Sequence, residues 1–120
     1  ENLFKIEQSP YWKLHYNFDK KSKKEVPNLG KSSVNVLIIN VLTPILWAYG
    51  QTKKQNQFEQ KAIHLLQNLP KEVNKITKIW NSVGMYLPNA YFSQAALEWY
   101  NESCKAKKCL QCEVGKSILK

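Results

Sequence analysis

Apolar residues recur at helical spacing in three segments from residue 55 onward. The first spans residues 55–69, where the apolar positions follow the i, i+4, i+7, i+8, i+11 spacing of a helix with one buried face. A second spans residues 71–83, and a third opens at Pro88-Asn89. All three are predicted to be amphipathic helices. Their apolar positions are Phe58, Ala62, Leu65, Leu66 and Leu69; Val73, Ile76, Ile79, Trp80 and Val83; and Tyr91, Phe92, Ala95, Ala96 and Trp99.

The longest apolar run extends from Val34 to Tyr49. We expect a helix that begins just after Gly30, is kinked or restarted by Pro44, and ends at Gly50. A membrane-spanning helix needs about 20 mostly apolar residues, and this run is shorter and partly polar. It is therefore predicted to be a buried core helix, and no membrane partner is expected. The interrupting residues are Asn35, Asn40, Thr43 and Pro44.

The N-terminal segment is rich in aromatic residues and fits two patterns. Helical spacing places Tyr11, Leu14 and Phe18 on one face, whereas strict alternation places Trp12, Leu14, Tyr16 and Phe18 on one face of a strand. The Ser9-Pro10 start favours a short helix. Because its large apolar side chains need burial, we expect this segment to wrap onto the core. A solvated loop is predicted for residues 19–29.

The chain ends in a predicted turn at residues 105–108 and a last short helix carrying Cys109, Leu110, Val114, Ile118 and Leu119. No window of β-branched residues with hairpin turns is present. We therefore predict an all-α fold, a compact bundle of about five helices with the aromatic segment packed on it. Short connections favour antiparallel neighbours. Residues 1–29 form an N-terminal arm and loop, and residues 30–120 form the helical domain, together one globular unit.

The charge pattern bears on possible partners. The net charge is +9, from 18 basic and 9 acidic residues, and every basic residue is Lys. Without Arg, sequence-specific DNA reading through the bidentate guanidinium fork is excluded. Non-specific binding of a polyanion stays open, with neighbouring aromatic side chains stacking on bases, beside the simpler interpretation of a solvated surface. The candidate anion-binding or nucleic-acid-binding residues are Lys20, Lys21, Lys23, Lys24, Lys31, Lys105, Lys107 and Lys108.

The three cysteines all lie within nine residues, as Cys104-x4-Cys109-x2-Cys112. Two thiolates at x2 spacing can reach one metal ion, so a structural zinc site is one interpretation, with His15 or His64 as the fourth ligand. Buried thiols that pack as small apolar side chains are another. A disulfide or an iron–sulfur cluster is a third. Beyond this possible zinc ion, the sequence calls for no cofactor.

Candidate catalytic residues are scarce. The segment Gly30-Lys31-Ser32-Ser33 resembles the end of a phosphate-binding loop, but the first glycine of that motif is replaced by Glu25. One alternative is a helix start at which Ser hydroxyls satisfy free backbone N–H groups. Another is an anion held at that helix start by bare N–H groups together with Lys31 and the run Lys20 to Lys24. The sequence contains no triad, no paired-carboxylate site and no His-x3-His motif. We expect no enzymatic activity from this chain alone.

The start of the chain carries no signal-peptide pattern, and it begins at Glu1 rather than Met. These observations led us to expect a cytoplasmic protein of which this chain is a fragment.

Several motifs together resemble one known family. The combination resembles the C-terminal region of an uncharacterised Bacteroidetes family, domain of unknown function 2851. The resemblance implies a larger soluble protein whose N-terminal part resembles restriction-endonuclease-like folds. It assigns no catalytic residue to the present chain, because nothing in it matches the metal-binding carboxylates of such a nuclease. It implies a structural or interaction role that supports the N-terminal part, which would be the partner. The alternative is a non-specific nucleic-acid-binding module. The motifs are Tyr11-Trp12-x2-His15-Tyr16-x-Phe18, Leu29-Gly30-Lys31-Ser32, Ile38-Ile39-Asn40-x3-Pro44, Asn89-Ala90-x2-Ser93-Gln94-Ala95 and Cys104-x4-Cys109-Leu110-x-Cys112.

Overall fold

Helices dominate the structure, a computed structural model that describes residues 7–118. An N-terminal arm precedes the helices and contains one 3-10 turn and two short strands. The helical part has six α-helices among the described residues, two π-helical segments and a second 3-10 turn. In chain order the elements are the 3-10 turn Trp12–Leu14, β1 His15–Asn17, β2 Lys20–Lys21, α1 Lys31–Leu37, the π segment Ile38–Leu42, α2 Thr43–Lys53, α3 Asn56–Asn68, α4 Lys75–Ser82, α5 Ala90–Trp99, the π segment Tyr100–Cys104, the 3-10 turn Cys109–Gln111 and α6 Glu113–Ile118.

The predicted all-α class is confirmed, and the three amphipathic segments form α3, α4 and α5. Helix α4 begins later than its apolar pattern suggests because Asn74 caps it. The Asn74 side chain accepts hydrogen bonds from the backbone N–H groups of Ile76 and Thr77, both at 3.0 Å. In return, the Thr77 hydroxyl accepts from the Asn74 N–H at 2.9 Å, which completes a capping box. Asn89 caps α5 by accepting from the Phe92 N–H.

Helix α1, the first π segment and α2 form one continuous helix of 23 residues, Lys31–Lys53. Pro44 does not break it. A proline inside a helix lacks an N–H and crowds the carbonyl four residues earlier. The wider π turn immediately before Pro44 relieves that conflict, since the Thr43 N–H donates to the Ile38 carbonyl, five residues back. The Thr43 hydroxyl donates to the same carbonyl at 2.9 Å.

The burial predicted for this long helix is wrong. Its most apolar window has a mean hydropathy of 1.5, yet only 17% of that window is buried. Ile39, Thr43 and Gly50 are its buried residues. The judgement that it is too short and too polar to cross a membrane is also wrong, because it is the one helix among the described residues that is long and apolar enough by length and composition. Its exposed large side chains are Val36, Leu37, Val41, Ile45, Trp47 and Tyr49.

Helices α2 and α3 form an antiparallel hairpin, the most extensive helix pair in the molecule. The turn between them is made by Lys54 in the left-handed conformation (φ 53°), with its N–H donating to Gln51. Gly50 was expected to end α2, but the helix continues to Lys53. The glycine instead allows close helix packing, since a Cβ there would lie 2.8 Å from Cγ and 3.1 Å from N of Glu59.

The core lies where α3 and α4 pack on α5. Small apolar residues allow this close contact, with Ala62 on α3 and Ala90 and Ala96 on α5 almost fully buried. Trp80 of α4 stacks on Trp99 of α5 at a ring separation of 5.2 Å. The Trp80 indole N–H donates to the Ala96 carbonyl at 2.9 Å, so the polar group of this large side chain is satisfied.

A carboxylate joins the long helix to this core. The side chain of Glu72, in the loop before α4, accepts a hydrogen bond from Asn40 of the π segment at 3.0 Å. It also accepts one from Gln94 of α5. The Glu72 N–H donates to the hydroxyl of Ser93, which is fully buried. Three separate segments are thereby fixed to one another by polar contacts.

The N-terminal arm differs from the packed segment that we expected. Its aromatic side chains contact one another, while Tyr16 and Phe18 remain 66% and 76% exposed. Strands β1 and β2 pair antiparallel, joined by a turn with Asp19 at φ 58°. Both predicted patterns are thus partly realised, as a 3-10 turn followed by a strand. The molecule measures 62 × 39 × 23 Å.

Candidate functional site

The C-terminal tail brings the three cysteines to one side of the molecule. Cys104 ends the second π segment, in which the Lys105 N–H donates to the Tyr100 carbonyl. The predicted turn follows, with Lys107 in the left-handed conformation (φ 53°). The predicted last helix is split into a 3-10 turn at Cys109–Gln111 and α6. Leu119, which the apolar pattern placed on it, lies outside the described residues.

The three cysteines line one cavity of about 560 Å³. Its wall includes the stacked rings of Trp80 and Trp99, and the cavity surface is mainly apolar. Cys104 and Cys109 are exposed and Cys112 is half-buried. The cavity therefore combines thiol groups with an aromatic wall.

Cys112 is the most strongly hydrogen-bonded of the three thiols. The backbone N–H of Gly115, the indole N–H of Trp99 and the backbone N–H of Val114 lower the pKa of Cys112, in that order of size. The Trp99 Nε1 lies 3.3 Å from Cys112 Sγ. Desolvation and the charge of Glu113 raise the same pKa and offset part of the effect. Hydrogen bonds to a sulfur favour its charged form, the thiolate.

The environment of Cys104 acts in the opposite direction. Desolvation of its sulfur raises the pKa of Cys104 most, although the residue as a whole is exposed. The charges of Cys112 and Cys109 raise it further, because a second thiolate nearby disfavours ionisation. The sulfur of Cys104 is thus close enough to the other two to be affected by them, and its pKa shifts in the opposite direction to that of Cys112.

Gly115 allows the tail to close on itself. A Cβ at this position would lie 2.1 Å from the carbonyl oxygen of Cys109 and 2.8 Å from its carbonyl carbon. Only glycine lets α6 approach the Cys109 backbone this closely. The same approach positions the N–H groups that reach Cys112.

A comparison with known protein families matches residues 1–75 to the family described as "Protein of unknown function (DUF2851)". The match covers more than half of the chain. The chain belongs to the DUF2851 family. The family match spans the arm, the long helix and α3, while the cysteine tail of this DUF2851 chain lies beyond the matched residues. No curated protein and no solved structure matches the chain.

The buried-thiol interpretation is wrong for Cys104 and Cys109 of the DUF2851 chain, because both are exposed. Within residues 7–118, no group of three or more His, Cys, Asp or Glu side chains is arranged to hold a metal ion. Neither proposed fourth ligand lies in the cysteine cavity. His15 stacks on Tyr11 in the arm, and His64 of α3 contacts the side chain of Asn68.

The eight candidate anion-binding lysines of the DUF2851 chain fall into two groups and one separate residue. Lys20 and Lys21 form β2, and Lys23 and Lys24 follow it, all four exposed beside the exposed aromatic side chains of the arm. Lys31 is the first residue of α1. The tail group is exposed in and after the turn that follows the second π segment, and it shares no extended contact with the arm. It consists of Lys105, Lys107 and Lys108.

The surface that sequence reasoning missed is the exposed side of the long helix. Val41, Ile45 and Tyr49 recur one turn apart and are 48%, 59% and 46% exposed. A signal was present in the sequence, since the run is apolar around its whole circumference and one helical neighbour covers only one side. Such a helix needs more than one partner to be buried.

Proposed function

We propose that the DUF2851 chain is an interaction domain whose long helix, Lys31–Lys53, packs on a nuclease-like part of the same protein. The observation that carries the proposal is the exposure of this apolar helix, since only 17% of its most apolar window is buried. Soluble monomers rarely expose apolar patches of this extent, and those that they do expose usually mark interaction surfaces. The role is structural, and the chemistry belongs to the partner region.

The energy available from this surface is sufficient for a stable contact. Six large apolar side chains of the helix are between 37% and 59% exposed. Burying the exposed half of one such side chain contributes about 1 kcal/mol, so the six contribute about 6 kcal/mol. Within one polypeptide no translational freedom is lost on docking, so most of this gain is retained.

A protein partner suits the surroundings of the helix better than a membrane does. Helix α3 lies along α2 and carries exposed polar side chains, among them Gln57, Lys61 and His64. Inserting α2 into a bilayer would either place these groups in hydrocarbon or separate the hairpin. It would also break the contact of Asn40 with Glu72. A protein surface can cover the apolar side and leave these contacts intact.

Side-chain footprinting with hydroxyl radicals tests the proposal. Trp47 is 42% exposed in this chain and should be oxidised readily in the isolated chain. In the full-length protein we expect its oxidation to fall severalfold because the partner region covers it. Tyr86 is 80% exposed in the loop before α5 and serves as the internal reference.

A pair of charge variants separates docking from general effects. Ile45→Glu places a carboxylate at the centre of the apolar surface and should restore oxidation of Trp47 in the full-length protein, since burying an unpaired charge is costly. Gln57→Glu adds the same side chain at an exposed position of α3 and should leave protection intact. Equal oxidation of Trp47 in both forms of the wild-type protein would refute the proposal. Protection by lipid vesicles, or by self-association of the isolated chain, would assign the surface to another partner and equally overturn it.

A second candidate function, non-specific nucleic-acid binding, rests on the arm. Two exposed lysines form β2 and two more follow it in the chain. They lie beside Tyr16 and Phe18, which are both more than half exposed. Lysines neutralise phosphates, and free aromatic faces stack on unpaired bases. This combination favours single-stranded over double-stranded nucleic acid.

Fluorescence anisotropy with short labelled oligonucleotides tests this second candidate. Contacts from the four arm lysines predict a slope of log affinity against log salt of about −3.6 on a duplex, and of about −2.8 on a single strand. Replacing them by Gln should remove the salt dependence. The matched variant, Lys105, Lys107 and Lys108 replaced by Gln, should leave the slope unchanged. Absence of binding at low salt would exclude the function.

A further inference from the structure

We propose that Cys109 and Cys112 form a dithiol pair that exchanges with low-molecular-weight disulfides, with Cys112 as the attacking thiol and Cys109 as the resolving thiol. This inference concerns the C-terminal tail and is independent of the docking surface on the long helix. The ligand class is a small disulfide of the glutathione type.

The turn between Cys109 and Cys112 brings the two residues close together. Cys109 begins a 3-10 turn and Cys112 follows it, with the Cys112 N–H donating to the Cys109 carbonyl at 3.3 Å. One 3-10 turn advances about 6 Å and places residues i and i+3 above one another. A disulfide requires Cα atoms roughly 4.4–6.8 Å apart. The turn therefore places the two Cα atoms within the range that a disulfide spans.

Hydrogen bonding at Cys112 favours the ionised form of its thiol. Its Sγ lies 3.3 Å from the Trp99 indole nitrogen, which donates a hydrogen bond to it. The N–H groups of Gly115 and Val114 also lower the pKa of Cys112. The Trp99 donor stabilises the thiolate, which is the form that attacks a disulfide. Desolvation instead raises the pKa of Cys104, which disfavours its thiolate.

Both thiols of the pair are accessible to a small molecule from solution. The cavity of about 560 Å³ beside the thiols is large enough for a small ligand, and the rings of Trp80 and Trp99 form an apolar wall for it. Cys109 is exposed and Cys112 half-buried, so a disulfide in solution can reach both. A structural thiol packed in a core would lack both features.

The exchange balances in two steps. The Cys112 thiolate attacks one sulfur of the small disulfide, the S–S bond breaks, and one small thiolate leaves with a mixed disulfide on Cys112. Cys109 then gives up its proton to solvent and attacks the Cys112 sulfur, which releases the second small thiolate. The protein loses two protons and two electrons, and the small disulfide gains them to become two thiols.

The experiment treats the fully reduced chain with glutathione disulfide, quenches with acid and identifies the products by mass spectrometry with peptide mapping. For the wild type we expect a disulfide between Cys109 and Cys112. Cys109→Ser should stop at glutathione bound to Cys112. Cys112→Ser should lose the fast reaction, and Cys104→Ser, the matched control, should still form the disulfide.

A second measurement alkylates the reduced protein under native conditions and ranks the three thiols by their rates of reaction. Cys112 should react fastest in the wild type. Trp99→Phe keeps an aromatic ring but removes the donor. Losing this hydrogen bond lowers the thiolate fraction of Cys112 about tenfold. The more basic thiolate is about threefold more nucleophilic, so Cys112 should react about threefold more slowly, while the rate at Cys104 stays unchanged. The proposal is overturned if glutathione disulfide leaves the pair reduced, or if Cys112 is not the fastest thiol.

Discussion

Replacing Gly115 by Ala tests how the cysteine tail is held together. The new Cβ would lie 2.1 Å from the Cys109 carbonyl oxygen, 2.8 Å from its carbonyl carbon and 3.0 Å from its Cα. All three are backbone atoms, so no side-chain rotation relieves the overlap, and α6 must move by about 1 Å to restore an ordinary contact distance. Overpacking of this kind costs up to about 3 kcal/mol. Alanine returns about 1 kcal/mol through its higher helix propensity.

The net cost of about 2 kcal/mol corresponds to about a 30-fold shift towards the open tail. Amide hydrogen exchange measures that opening directly. The Lys116 N–H, which donates to the Cys112 carbonyl at 2.8 Å, and the Cys112 N–H should exchange about 30-fold faster. Exchange in α3 should stay unchanged. Gly30→Ala is the control, since a Cβ there meets nothing within 4 Å. Unchanged exchange in the tail of Gly115→Ala would show that the close approach of α6 to Cys109 is wrong.

Three further predictions concern the helix hairpin, a helix cap and thiol acidity. Gly50→Ala forces α2 away from α3 and should lower the melting temperature by about 4 °C, or about 1 kcal/mol, in a thermal scan; an unchanged value would contradict the close packing. Asn74→Ala removes the cap of α4 and should cost about 1 kcal/mol in urea unfolding, whereas no loss would mean that the capping box is not formed. Hydrogen bonds lower the pKa of Cys112 and desolvation raises that of Cys104, so alkylation of Cys112 should begin at lower pH, and equal midpoints would exclude this difference.

The sequence determined the parts of the fold that depend on local physics. The spacing of Phe58, Ala62 and Leu65 predicted α3, because a helix of 3.6 residues per turn aligns such positions on one face. Proline and asparagine at Pro88-Asn89 marked the start of α5, because an asparagine side chain satisfies free N–H groups there. The Cys-x2-Cys spacing placed two thiols within one turn of each other.

Only the tertiary structure decided which apolar surfaces are covered. Periodicity shows that Ile39 and Ile45 lie on a helix, but their burial depends on which other elements pack against each side of that helix. Ile39 is 4% exposed and Ile45 is 59% exposed, because α3 and the loop before α4 cover one side of the helix alone. The π turn ahead of Pro44 also escaped prediction, since an irregular turn has no distinct hydrophobic period.

The environment of the thiols likewise came from packing between distant residues. Trp99 and Cys112 are separated by 13 positions, and nothing in their spacing predicts that an indole N–H will point at the sulfur. The contact exists because α6 closes on Cys109 through Gly115 while Trp99 is fixed by its stack on Trp80. Local propensity sets which turns form, whereas the identity of a side chain's neighbours depends on how complete elements pack together in three dimensions.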